Sequence, residues 1–411
     1  MMRADLRNGS PPAQTLRALT AVIGAVYGVW ILRHGLQTGS DTNSYSEWAD
    51  LMIAHHFNVV SYLREQSFVV PPVLYLAWVL IVASLKTVLG HWWMHGVVAL
   101  NWLCFIGGTY ATLSWVRRAT ASAGAVLLAA ACFLVSADLL IFVPFVLSDL
   151  TFWGLSTIIV VMGLQFAARD DLDNTARHLA IGTILTAVAM MFRPVALPLA
   201  LFWIVAIIAR AQRERVVRHG ARLFGVLCGV AILAVIGHAY VLLNPSAWPG
   251  RLPAMFEVLS REYRQGVLVY SPDENFNVAP AVDWFGFIRI TIEKWIYFWT
   301  PWLPHYSAAH TVMNLAFFAP VYFLSVIALL RSRRLAASQQ IQAWLLATLA
   351  LFVSSFHAMV QIDYDHRYRL PLLPVLIMLA GLGLEAGRRP PPIDTLPASD
   401  RRRSRSNNAE R

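Results

Sequence analysis

Few residues in this chain carry charge: Asp, Glu, Lys and Arg make up 14% of 411 residues, against 57% hydrophobic. That shortage excludes a water-soluble fold, because too little polar surface exists to cover the apolar side chains. Cysteine is scarcer still. Cys104, Cys132 and Cys228 all fall inside apolar runs, which argues against a disulfide framework and against a cysteine-based metal site. Acids are outnumbered by bases, 23 to 33, yet the surplus does not point to nucleic acid. The bases cluster in short connections between apolar runs, where the positive-inside rule would place them on the cytoplasmic face.

What the chain has is apolar runs near the roughly 20 residues a bilayer-spanning helix needs. The expected spans are 16–35, 92–116, 120–143, 147–168, 178–192, 194–210, 221–243, 311–330, 340–360 and 370–387. Basic clusters at 3–17, 117–118, 169–177, 210–222, 331–334 and 388–411 all fall on one side only if two further apolar stretches fail to cross. One is 72–90, which opens with Pro71-Pro72, contains Lys86 and precedes the aromatic group HWWMH. The other is 284–304, with four tryptophans, two prolines, Arg289, Glu293 and Lys294. Both read as juxtamembrane helices on the outer face. The expected fold is therefore an all-α polytopic membrane protein of about ten transmembrane helices. Residues 1–15 form a cytoplasmic N-terminus, 16–387 the membrane domain, 37–91 and 244–310 its outer loops, and 388–411 a disordered basic tail.

The polar segment QTGSDTNSYSEWADLM, residues 37–52, is unusually long for a turn after a first span. Ser44 to Glu47 matches a capping box, so a short amphipathic helix is expected just after Asp41, with Tyr45, Trp48, Ala49, Met52 and Ile53 on one face. Asp41 at this place is either a functional carboxylate or an ordinary cap, and Asp50 further along is a solvated polar residue. Asp149 ends FVPFVLSD and opens the next apolar run. Arg193, in MMFRPVALPL, must snorkel outward or find an anion. Near the end, DYDHRYRLPLLPVL sets Arg367, Tyr368 and Arg369 directly before the last span. The two guanidiniums suit a phosphate at headgroup depth, with interfacial anchoring as the alternative. In the 244–310 loop, residues 251–265 read as an interfacial helix with Leu252, Met255, Phe256, Leu259 and Tyr263 on one face, followed by an exposed SPDENFN turn.

With Asp41 and Tyr45 after the first span, Pro71-Pro72, Asp149 at the next outer turn and RYRLPLLPVL near the end, the chain resembles the GT-C integral-membrane glycosyltransferases. The likeness is to the bacterial relatives of protein O-mannosyltransferases and of aminoarabinose and galacturonic acid transferases, and it covers about residues 18–387. The resemblance implies transfer of a sugar from a polyprenyl-phosphate carrier to a glycan, lipid or protein acceptor on the non-cytoplasmic face, with inversion. By the same resemblance Asp41 is the catalytic base, with Asp149 as the second acidic residue of the site. Tyr45, Arg193, Arg367, Tyr368 and Arg369 would bind substrate. Thr42 and Val70 depart from the family pattern, the second removing a usual cation before Pro-Pro, for which Arg64 or Lys86 could substitute. Whether Asp41 and Asp149 share a Mg or Mn ion stays open. A lipid-linked glycan ligase or polymerase and a membrane transporter are the competing readings. The expected location is a bacterial inner membrane with the site facing outward.

Overall fold

In the computed structural model the described residues are 12–65, 75–120, 122–168, 175–243, 253–270, 276–303, 306–360 and 367–388. Pro71-Pro72, the 271–275 part of SPDENFN, the 363–366 part of DYDHRYR and the tail beyond 388 lie outside them.

Helix α1 (Ala13–His34) ends at Gly35, whose φ of 67° lies in the left-handed region that glycine tolerates. Next come α2 (Ser40–Ala54), α3 (Val59–Glu65) and α4 (Leu76–Leu89), the last packed against α2. A turn at Gly90–Trp92, entered through Gly90 with φ 54°, joins α4 to α5 (Trp93–Ala119). The juxtamembrane segment expected at 72–90 is thus a separate helix leading directly into its successor.

The span expected over 120–143 is divided in two. α6 (Ala123–Val135) stops at Ser136, whose Oγ accepts from the Leu139 N–H (3.4 Å) and starts α7 (Ala137–Phe142). A hydroxyl that captures a nearby backbone donor offers the chain an alternative to continuing the helix. Then follow α8 (Asp149–Ala168), α9 (Thr175–Met190) and α10 (Leu197–Ala211), with α9 and α10 meeting at Arg193-Pro194 as expected. α11 (Arg213–Leu243) leaves helical geometry at His219.

The helix expected at 251–265 is α12 (Pro253–Gln265), and Leu259 and Tyr263 bury in a small separate core with Phe287 and Ile290. A short antiparallel pair, β1 (Val267–Val269) and β2 (Phe276–Asn277), lies between it and α13 (Trp284–Phe298). The bundle closes with α14 (Ala308–Leu330), α15 (Ala337–Ala358), a 3-10 turn at Arg367–Leu372 and α16 (Leu373–Arg388).

Among the described residues eight segments are long and apolar enough to cross a membrane, and Ala123–Val135 and Thr175–Met190 are shorter apolar helices. Together they account for the ten expected spans. Hydrocarbon gives helices no hydrophobic reason to associate, so close packing must hold such a bundle. α16 is the central helix, buried almost throughout, and Gly383 lets it touch the backbone of α14 at Leu324. Any side chain at 383 would drive those helices apart.

Two poles emerge. At one, Gln339 Nε2 donates to Ala119 O, and Arg388 bonds Ser122 Oγ. At the opposite end of α15, His357 stacks on Tyr368, beside Arg193 and Arg367. The basic connections and the suggestive polar residues therefore occupy different ends of the bundle.

Candidate active site

The 37–52 stretch forms one wall of this second pole. Gly39 N–H donates to Thr42 Oγ1 (3.0 Å), and that hydroxyl in turn donates to Val146 O (3.1 Å). Helix α2 consequently starts at Ser40, not at the expected capping box of 44–47, because its first turn is pinned by a partner over a hundred residues away. Asp41 lies inside that turn, at the positive end of the helix.

A two-way exchange extends the junction: Gln37 N–H donates to Pro144 O (3.0 Å) and Val146 N–H to Gln37 O (2.9 Å). Asn101, fully buried on α5, clamps the far side. Its Nδ2 donates to Phe145 O (3.1 Å) and Leu147 O (2.9 Å), while Oδ1 accepts from the N–H (3.1 Å) and Oγ1 (2.7 Å) of Thr151. Every polar atom of this amide is used to position the turn that ends at Asp149.

Asp149 Oδ1 pairs with Arg193 Nη1, both side chains being buried, and Asp149 Oδ2 has no hydrogen-bond partner among the described residues. A buried carboxylate oxygen without a partner is costly, so it marks a place where another donor is accommodated. Burial alone would lower the Arg193 pKa, and the Asp149 charge beside it raises it above the ordinary value. Arg193 is held at the α9–α10 junction in extended backbone, with Met191 O accepting from the Ala77 N–H (2.9 Å) to fasten the junction to α4.

Arg367 closes the site. Its Nη1 donates to Asp41 Oδ2 at 2.7 Å, with the Arg367 side chain 14% and the Asp41 side chain 35% exposed. Tyr368 lies between the cations, its ring 5.6 Å from the Arg193 guanidinium and 5.3 Å from that of Arg367. Behind it His357, 1% exposed, is stacked between Tyr368 (4.9 Å) and Phe298 (5.6 Å). Asp149, Arg193, Arg367 and Tyr368 line a small cavity of about 10 Å³ with Phe152, Val195, Leu370 and Pro371.

Tyr45 packs against Trp48, Tyr75 and Trp78 and faces Ser148 Oγ at 3.4 Å. Burial pushes the hydroxyls of Tyr45 and Tyr75 above the ordinary tyrosine range, with Arg193 partly opposing it, so both stay neutral.

Of the expected site residues, Asp41, Tyr45, Asp149, Arg193, Arg367 and Tyr368 come together. Arg369 does not join them. It is fully buried, donating to Asp138 Oδ2 (3.0 Å) and to the carbonyls of Phe298 and Thr300 over the Phe318 ring. With about three residues per turn, a 3-10 helix sends positions two apart in different directions. Lys86 is also engaged elsewhere, with Asp50 Oδ1 (2.6 Å) and Ser46 Oγ (2.9 Å), and Arg64 is exposed at the end of α3. Asp50, expected to be merely solvated, is thus an ion-pair partner.

Asn101, Asp138 and His357 escaped the sequence reading. Asp138 had a signal, a lone acid inside an apolar run; a polar residue within an ordinary span, such as Asn101, has none. Among the described residues no three His, Cys, Asp or Glu side chains converge as a metal site. The two site carboxylates, the donors a shared Mg or Mn ion would need, each face a guanidinium instead.

No family model matches the sequence, and no curated protein matches it. The structure, in contrast, is similar to ArnT from Cupriavidus metallidurans bound to undecaprenyl phosphate. The TM-score is 0.50 and the identity 16%, over 94% of this chain and 61% of that one. ArnT from the same organism in the apo state aligns at 0.46 and 14% over the same shares. The chain thus spans about three fifths of the length of ArnT. With its apolar helices and this likeness over nearly its whole length, the protein is a multi-pass membrane protein with a fold similar to that of ArnT.

Proposed function

We propose that the protein is a membrane glycosyltransferase that moves a sugar from a polyprenyl-phosphate carrier to an acceptor hydroxyl, with inversion and with Asp41 as general base. The observation that carries this reading is a carboxylate and an anion cradle in one place: Asp41 against Arg367, Asp149 against Arg193, and Tyr368 between the two cations. The undecaprenyl phosphate bound to ArnT supports the carrier class.

The chemistry follows from charge. As the acceptor oxygen bonds to the anomeric carbon, its proton passes to an Asp41 carboxylate oxygen, while the carbon–oxygen bond to the phosphate breaks and polyprenyl phosphate leaves with one more negative charge. The leaving group needs cations rather than a proton, and Arg193 and Arg367 supply them. Arg367 links the two tasks. In the free protein it occupies an Asp41 carboxylate oxygen, and transfer of that guanidinium to an incoming phosphate leaves the oxygen open to the acceptor's proton. Asp149 holds Arg193 in place. Arg369 serves the scaffold in this reading.

The site would face the non-cytoplasmic side of a bacterial inner membrane, opposite the basic connections, with residues 16–387 as the catalytic domain. The outer loops at 37–91 and 244–310 would select the acceptor, a glycan, lipid or protein of the envelope, and the sugar would be a hexose or pentose. The test is a panel of radiolabelled polyprenyl-phosphate sugars incubated with the purified protein. At least one is expected to lose its sugar. Asp41→Asn is expected to slow that transfer about 10²- to 10⁴-fold, the usual cost of a lost general base, while carrier binding persists. Glu47→Gln, on the exposed side of the same helix, is the control and is expected to leave transfer unchanged. Near-normal turnover by Asp41→Asn would move the base elsewhere, with Asp149 next.

A further inference from the structure

Far from the candidate site, the turn between α10 and α11 carries five arginines, at 210, 213, 215, 218 and 222, against one acid, Glu214. Arg210 and Arg218 have partners that explain them. Arg210 donates to Phe166 O (2.6 Å) and Thr175 Oγ1 (2.8 Å), and Arg218 pairs with Glu214 (2.9 Å). Arg215 and Arg222 are exposed, and neither forms an ion pair or side-chain hydrogen bond among the described residues.

Immediately beside this turn is an apolar groove of about 220 Å³ between α10, α11 and α15, lined by Val205 and Ile208, Leu223 and Val226, and Trp344 and Leu345 among others. Its origin is visible in α11. The helix breaks from regular geometry at His219, and Gly220 then presses its bare Cα against the Trp344 indole, which a Cβ at that position would penetrate. Beyond this contact α11 is covered on few sides; Val226, Val230, Ile232 and Leu233 are each more than half exposed.

Arg222 and Val226 are four residues apart in the helical stretch beyond the break at His219, and so share one face of it, where Val226 lines the groove. Arg215 is exposed just before that break. At about 1.5 Å per residue, Arg222 stands roughly 6 Å beyond Val226 along the axis, about the separation of a lipid phosphate from its first methylenes. The geometry points to a binding site for an anionic phospholipid, with an acyl chain along α11 and α15 and the phosphate at Arg222, Arg215 adding positive charge to the same basic stretch. A zwitterionic lipid would place a second, positive headgroup charge against the same cations. Basic pockets between helices at this depth suit anionic headgroups for that reason.

The test uses the purified full chain and native mass spectrometry with phosphatidylglycerol and phosphatidylcholine of identical acyl chains. Phosphatidylglycerol is expected to be retained at least tenfold more strongly, less so in high salt. The double variant R215Q/R222Q is expected to erase that preference, and Val226→Trp to weaken retention of both lipids by filling the groove. R331Q/R333Q, which removes two exposed arginines from the next basic turn, is expected to leave the preference intact. Equal retention of the two lipids overturns the proposal, as does a preference that survives R215Q/R222Q. Equal sensitivity to R331Q/R333Q would show a generally basic membrane face and would overturn it too. Where the double variant fails to fold, R222Q alone carries the test, because its side chain is exposed.

Discussion

Arg367 and Arg369 are two residues apart in one short turn, and both face an aspartate, yet the two pairs are different objects. Arg369 and Asp138 are sealed, 0% and 2% exposed, and each is further bonded: Arg369 to two carbonyls, Asp138 to Asn314 Nδ2 at 3.3 Å, with His310 Nε2 at 3.4 Å. Arg367 and Asp41 are partly open, on the edge of a cavity. A buried pair tied by further hydrogen bonds to fixed protein groups is costly to rearrange. A pair at a cavity edge can exchange partners with an incoming anion. The comparison separates a clasp that holds α7, α14 and the 367–372 turn together from a pair that can change hands during a reaction.

The sharpest way to break this contrast is Arg369→Met. It leaves Asp138 buried without its cation, and removal of one partner from a buried pair typically costs about 3–5 kcal/mol. A large fall in thermal stability is expected, with loss of carrier binding only as the fold is lost. If Arg369→Met stayed as stable as the parent but no longer bound carrier, the assignment of Arg369 to the scaffold would be wrong.

Lys294 extends the comparison to a buried cation outside the site. It is 1% exposed on α13, over the Tyr263 ring and 3.3 Å from Val360 O. Burial pushes its pKa down to about 8, with Glu262 partly opposing. Because the folded protein releases this proton more readily than the unfolded chain, stability should rise with pH between about 8 and the ordinary lysine value of 10.5. Lys294→Met is expected to raise stability at pH 7, on the order of 2–3 kcal/mol, and by less at pH 9.5. Melting curves at the two pH values check this; a gain equal at both would mean that the lysine charge is not the cause.

Arg367→Lys is expected to act more gently and in the opposite sense to Arg369→Met. Charge is retained but the forked donors are lost, so carrier affinity should fall about tenfold, or ~1.4 kcal/mol, while the melting temperature hardly moves. Carrier titration of the purified variant measures it, and unchanged affinity would favour simple anchoring. The smallest effect belongs to Asp50→Asn. Its pair with Lys86 has the Asp side chain 64% exposed, and exposed pairs contribute no more than about 1 kcal/mol. A loss of transfer comparable to that of Asp41→Asn would instead tie the α2–α4 pair to catalysis.

The candidate site was partly legible because its residues are conspicuous where they stand: an acid after a span, an acid opening a span, an arginine between two apolar runs. Arg369 looked as suitable as Arg367, since both are arginines before the last helix. Nothing local tells which way a 3-10 turn will face, and Asp138, the partner that captures Arg369, is 231 residues away.

From the sequence alone, the membrane class, the number of apolar helices and the grouping of the polar residues could be derived, because hydrophobic length and charge placement are properties of consecutive residues read against a bilayer. Which cation meets which carboxylate was decided only by the tertiary structure. The start of α2 depends on Val146 O, the break at Ser136 brings Asp138 into the core, and Asn101 sets the turn before Asp149. The first and last of these rest on hydrogen bonds between distant segments, and such bonds leave no periodic trace along the chain.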